Sequence, residues 1–226
     1  MRELAAVIFV LGLVLPACEK QPSQSVEPSE AAEAGEVASV DAWSVHEQLE
    51  ASIDAGKVPE AARKDALEQV RSSADDGSAA YAYARASVAG RLAETRGLKA
   101  LKLLEEVREW ALKSIERDAA FQGMAATRML GTLYVLGGQH IEEGDSEEGL
   151  ELLESVVDAL PDAPRNHLRL AEGYIALGDP EPALESLCVA IAGRDSLRPE
   201  EQLLLDRLLE DIGGAELLGC EGGEGA

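Results

Sequence analysis

The most chemically distinctive side chains in this 226-residue sequence are three histidines and three cysteines, and they lie far apart. His46, His140 and His167 lack the close spacing that lets imidazoles share a metal ion, and no CxxC or mixed Cys/His pattern accompanies them. No serine sits in a GxSxG turn, and neither a P-loop nor a GxGxxG stretch is present. Carboxylates are abundant, but none forms a pair that stands out from what solvated helix faces would carry. The expectation is a non-enzymatic protein with no metal and no cofactor.

Cys18 is the exception. It follows the apolar run LAAVIFVLGLVL from Leu4 to Leu15, which at twelve residues is shorter than the ~20 a permanent membrane helix needs. Leu15-Pro16-Ala17-Cys18 then reads as a lipobox, with a small residue before the cut and a thiol after it to accept diacylglycerol. Residues 1–17 are therefore expected to be a lipoprotein signal peptide, with Cys18 as the lipid attachment site. That places the mature chain on a membrane through its lipid anchor, in the bacterial cell envelope and facing the periplasm. Glu19, where an Asp would favour retention in the inner membrane, tilts the expectation towards the outer one. Residues 18–40 are rich in Glu, Ser, Pro and Ala, with too little apolar surface to offset ordering, and are expected to be a disordered tether.

The net charge is −23. Five glutamates against Lys20 put −4 of that in the tether, leaving about −19 on the rest. A field of that sign repels phosphates, so nucleic acid is excluded as a partner, as is electrostatic docking on anionic lipid. Once Cys18 carries lipid, Cys188 and Cys220 remain in an oxidising compartment. They either bridge, with the stretch from Gly213 to Gly219 folding back, or stay unrelated thiols, one packed in a helix and one in a Gly-rich tail at residues 214–226. The sequence leaves both open.

From Asp41 the apolar positions recur at three and four residues, aromatics are sparse and β-branched runs short. Stop and start signals are frequent: Pro59, Ser78, Gly97, Gly137-Gly138, Asp145, Gly178-Asp179-Pro180, Pro199 and Gly213-Gly214. They predict about nine helices, at 42–54, 59–73, 78–95, 98–117, 121–137, 145–159, 164–177, 180–192 and 199–212, within a domain spanning 41–213.

Internal repetition specifies the architecture. Shifted by 34 residues, GDSEEGLELLESVV falls on GDPEPALESLCVAI with six identities. Thirty-four is the tetratricopeptide period, in which each repeat is a helix pair that buries its face on the next. Leu170-Ala171, Tyr174, Ala183, Leu187 and Ala190 fit the consensus spacing; Leu130-Gly131, Tyr134, Gly149, Leu153, Val156 and Pro161 fit it one repeat earlier. Gly131 and Gly149 are 18 positions apart where Ala171 and Ala183 are 12, so the earlier repeat carries about six extra residues in its turn. The fold expected is all-α, a tetratricopeptide-like helical-repeat solenoid.

In such repeats the first helix of each pair lines the concave side. Its register selects Ala125, Arg128, Thr132 and Val135 in one repeat and Arg165, Leu168, Glu172 and Ile175 in the next. Apolar residues beside two arginines suit a small organic acid with an apolar portion, or a partner helix. Alternatively the apolar members pack against a neighbouring helix; the spacing does not decide.

From Ser78 to Ala192 the chain resembles the T component of tetratricopeptide-associated TRAP transporters. The resembling pieces are AAYAYARASVAGRLA, GMAATRMLGTLY and GDSEEGLELLESVVDALPDAPRNHLRLAEGYIALGD. The resemblance implies a periplasmic lipoprotein scaffold that partners a TRAP substrate-binding protein and forms a homo-trimer with a ligand-accepting cavity in each protomer. The acidic helices before Ser78 and the Cys-containing tail after Gly213 depart from it. The competing reading is a scaffold for envelope or outer-membrane assembly.

Overall fold

Most helix starts in this chain are set by side chains that accept the free N–H groups of a first turn, or by prolines that have no N–H to satisfy. Asp41 accepts from the Trp43 and Ser44 N–H groups at 3.3 and 3.1 Å and opens α1 (Ala42–Asp54). Pro59 precedes α2 (Glu60–Ser72), and the Ser78 hydroxyl accepts from the Tyr81 N–H at 3.0 Å to open α3 (Ala79–Ala93). After α4 (Leu101–Arg117) and α5 (Phe121–Gly137), Asp145 caps α6 (Ser146–Ala159) by accepting from the Glu147 N–H at 2.8 Å. Pro164 and Pro199 occupy the first positions of α7 (Pro164–Ala176) and α9 (Pro199–Asp211), with α8 (Ala183–Ala192) between them. The computed structural model describes residues 41–220, and among these every regular element is helical. None of the helices is long and apolar enough to cross a membrane.

The nine helices among the described residues lie where capping and periodicity predict them, with two shortened starts. Residues 97–100 form a tighter turn before α4, because Gly97 sits at φ 51°. The stretch after Pro180 becomes helical only at Ala183.

Successive helices pair as hairpins, α3 on α4, α5 on α6 and α7 on α8, and the hairpins stack through α4 on α5 and α6 on α7. The odd-numbered helices also touch in series, α1 to α3, α3 to α5, α5 to α7 and α7 to α9, forming an inner row. This is the helical-repeat solenoid expected from the sequence.

Glycines lock the α5–α6 crossing. A Cβ on Gly131 would lie 2.8 Å from the Gly149 carbonyl oxygen, and one on Gly149 would lie 2.7 Å from the Tyr134 Cβ, so neither helix has room for a side chain there. The corresponding pair in the next hairpin, Ala171 and Ala183, is fully buried, so that crossing accommodates two methyl groups. The longer turn between α5 and α6 is pinned similarly: Ile141 is buried, and a Cβ on Gly144 would meet the Gly138 backbone at 2.7 Å. Tyr134 is buried in the core, its hydroxyl accepting from Arg108 Nε at 2.8 Å. Tyr174, its counterpart one repeat later, is only half-buried and donates its hydroxyl to Glu154.

Cys188 and Cys220 form a disulfide with their Cα atoms 5.4 Å apart. It ties the segment after α9 to α8, and Leu218 is buried in the same cluster of Leu168, Leu187 and Leu205.

Candidate ligand cavity

The inner row surrounds a cavity of about 440 Å³. Each odd-numbered helix contributes: Glu50 from α1, Tyr83, Ser87 and Arg91 from α3, Arg128 and Thr132 from α5, Arg165 and Arg169 from α7, and Glu200 and Glu201 from α9. The apolar part of the wall comes from Leu104 and Val107 on α4 and from Ala125, Met129, Leu133 and Leu136 on α5. The cavity thus has a charged side and an apolar side. Its size falls within the ~300–1,000 Å³ typical of small-molecule sites.

The charged side closes the inner row on itself. Arg198, at the start of α9, donates to Asp54 at 2.8 Å, to the Glu50 carbonyl at 3.2 Å and to the Glu50 carboxylate, all on α1. Arg91 on α3 donates from Nε and Nη2 to the two Glu50 oxygens, both at 2.7 Å, and from Nη1 to Glu200 at 3.0 Å. First and last helices are therefore joined through one ionic cluster. Burial alone would raise the Glu50 pKa; the hydrogen bonds and charges of Arg91 and Arg198 outweigh it and bring it down to about 2.

Arg128 is set differently. Its Nη1 donates to the Asn166 side-chain oxygen at 2.7 Å and to the Gly123 carbonyl at 3.2 Å. Burial pushes its pKa down, and nearby Arg165 adds to that. The Gly123 carbonyl is aimed by an unusual piece of backbone: Gln122, Gly123 and Met124 all have positive φ, at 48°, 63° and 59°, before α5 becomes right-handed. A left-handed conformation costs roughly 1–2 kcal/mol at each non-glycine residue, and strain of this kind collects at functional sites. Tyr83 sits against this end of the cavity, within an aromatic group with Trp43, His46 and Phe121, and burial raises its pKa. Arg165 Nε lies 2.6 Å from Glu201 Oε1, and Arg169 pairs with Glu172 at 2.7 Å.

Of the residues assigned to the concave face from sequence register, Ala125, Arg128, Thr132 and Arg165 line this cavity. The others do not. Leu168 is fully buried against Leu204, Leu205 and Leu208, because α9 covers that part of α7. Val135 is buried between Leu153 and Leu170, where α5, α6 and α7 meet, and Ile175 packs on the α7–α8–α9 core. Glu172 is drawn to Arg169. The larger apolar members of the predicted face, Val135, Leu168 and Ile175, thus pack against neighbouring helices.

Tyr83, Arg91, Arg169 and Arg198 line the cavity but were absent from the residues selected by register. Two signals for them exist in the sequence. Tyr83, Ser87, Gly90 and Arg91 form one helical stripe on α3, and Arg169 lies one turn beyond Arg165. No spacing announces Arg198, which reaches α1 only because the row curves. Cys18 lies outside the described residues, as do the segments expected to be a signal peptide and a tether. No group of three or more metal-ligating side chains occurs among the described residues.

Comparison with known proteins gives one finding on this architecture. The family model of the tetratricopeptide repeat matches residues 140–188, which cover α6, α7 and the first half of α8. A search of curated proteins finds no match.

Proposed function

We propose that this protein is a non-enzymatic, lipid-anchored accessory scaffold of a TRAP-type uptake system, facing the periplasm. In this reading it binds the system's substrate-binding protein and holds a small ligand with an apolar portion and an acid group. The observation that carries the reading is the cavity, walled by the five odd-numbered helices and α4 and lined by both arginines and leucines. The tetratricopeptide match at residues 140–188 supports the protein-binding half, since stacked helix pairs of this kind present extended surfaces to partner chains. The lipobox-like Leu15–Cys18 supports the anchor, and the resemblance between Ser78 and Ala192 supports the transport assignment and a trimer.

Affinity capture from cross-linked native envelopes, read by mass spectrometry, tests the assignment. A periplasmic substrate-binding protein and its permease should be recovered with the tagged chain. Recovery of outer-membrane assembly components in their place would overturn the transport reading in favour of the envelope-assembly one.

A further inference from the structure

Some guanidinium groups in this chain meet carboxylates with their two Nη groups, as Arg117 does on Asp75 and Arg194 on Asp206, and others with the Nε–Nη2 edge. Arg91 uses Nε and Nη2 on Glu50, and Arg71 uses the same two nitrogens on Glu106. The two N–H groups on that edge run parallel and match the spacing of carboxylate oxygens, which is why the arrangement recurs.

On Arg128 that edge is free. Both of its hydrogen bonds leave from Nη1, to the neutral oxygens of Gly123 and Asn166, and among the described residues no partner meets Nε or Nη2. The other four arginines of the cavity each have a carboxylate: Arg91 has Glu50, Arg165 has Glu201, Arg169 has Glu172 and Arg198 has Asp54. A partly buried guanidinium without a paired carboxylate is costly to keep, and a carboxylate beside it offsets part of that cost. Asn166 is itself nearly fully buried, and its Nδ2 has no partner either. The neutral contacts fix the plane of the Arg128 group without neutralising it.

We propose that Arg128 anchors a single carboxylate through its Nε–Nη2 edge, with the ligand's aliphatic tail lying along Leu104, Met129, Leu133 and Leu136. This rests on the reading of the cavity as a ligand site and narrows it to linear monocarboxylates. A second carboxylate on the ligand would meet no unneutralised cation. It would face Glu50, Glu94, Glu200 and Glu201, which line the same space. The cavity should therefore prefer a monoacid to the diacid of equal length.

Isothermal titration of the purified protein with octanoate, octan-1-ol and octanedioate tests this. Octanoate should bind about tenfold or more tightly than either of the others, as a charge-assisted pair of hydrogen bonds dictates. Arg128→Gln should abolish the advantage of octanoate over octan-1-ol. Arg128→Lys, which keeps the charge but not the two parallel N–H groups, should retain only part of it. Octanoate should also raise the melting temperature of the wild type and of the lysine variant, and this shift keeps the test open if the glutamine variant does not fold. Equal binding of octanoate and octan-1-ol, or undiminished octanoate binding by a folded Arg128→Gln, would overturn the carboxylate anchor and leave the cavity as an apolar site. Binding of none of the three would overturn both the anchor and the ligand site.

Discussion

Glu50 accepts from Arg91 and from Arg198, so its carboxylate must be charged for the seam between α1 and α9 to hold. Its folded pKa of about 2 lies below the ordinary value of 4.5, so its contribution is fully present above about pH 5 and is lost as pH falls towards 2. A shift of that size corresponds to stabilisation on the order of 3 kcal/mol near neutrality. Denaturant unfolding followed from pH 7 to pH 3 should show wild type losing stability faster than Glu50→Gln. Parallel curves would mean that Glu50 is not the titrating group. Cys18→Ser should release the mature chain from membranes into the aqueous phase of a detergent partition; continued membrane partitioning would contradict a lipid anchor at that position. At this scale the register was legible for Ala125, Arg128, Thr132 and Arg165 and misleading for Val135, Leu168, Glu172 and Ile175. Arg128, Thr132 and Arg165 reach the cavity because the register of a repeat fixes which way its first helix faces. Leu168 was misassigned because the same register cannot show that α9 covers α7.

Helix boundaries were legible because they depend on local chemistry: Asp41, Ser78 and Asp145 accept from the next turn wherever the helix finally packs. The left-handed start of α5 was not legible, since Gln122 and Met124 carry no signal for positive φ and only Gly123 accommodates it freely. The glycine crossing between α5 and α6 provides a stability test. Gly131→Ala places a methyl group against backbone at 2.8 Å and should destabilise the protein by about 1–3 kcal/mol through overpacking. Gly90→Ala, in α3, meets only Val107 at 3.7 Å, an ordinary contact, and should be neutral or stabilising by up to about 1 kcal/mol. Melting temperatures of the two variants should move in opposite directions or differ by several degrees. Equal shifts would show that the crossing is looser than its geometry indicates.

Across the whole molecule, the two ends of the helical row are secured by different means. At the C-terminal end the Cys188–Cys220 disulfide closes a loop of 32 residues and holds Leu218 in the core. Cys220→Ser should cost about 3 kcal/mol in denaturant unfolding, and thiol labelling of the denatured, unreduced wild type should find neither cysteine free. The joint between α1 and α9 has no covalent link. It consists of Arg91, Arg198, Glu50, Asp54 and Glu200, and the bonds that reach Arg198 and Glu200 from the earlier helices span more than 100 residues of chain. The repeats themselves were readable because neighbours in sequence are neighbours in space; this joint was not, because it is set by the accumulated curvature of every hairpin between its two sides.

A row of helices that bites its own tail through charges alone has a built-in point of least resistance. Apolar contacts between hairpins tighten slightly as salt is added, whereas ionic ones weaken. Raising the ionic strength should therefore loosen the contact between α1 and α9 first, while α1 stays packed on α3. Hydrogen exchange would record this as amides near Asp54 and Arg198 losing protection while those of α5 and α6 keep theirs. Such a molecule has a seam without a hinge loop, and the surrounding electrolyte sets how tightly its two sides hold.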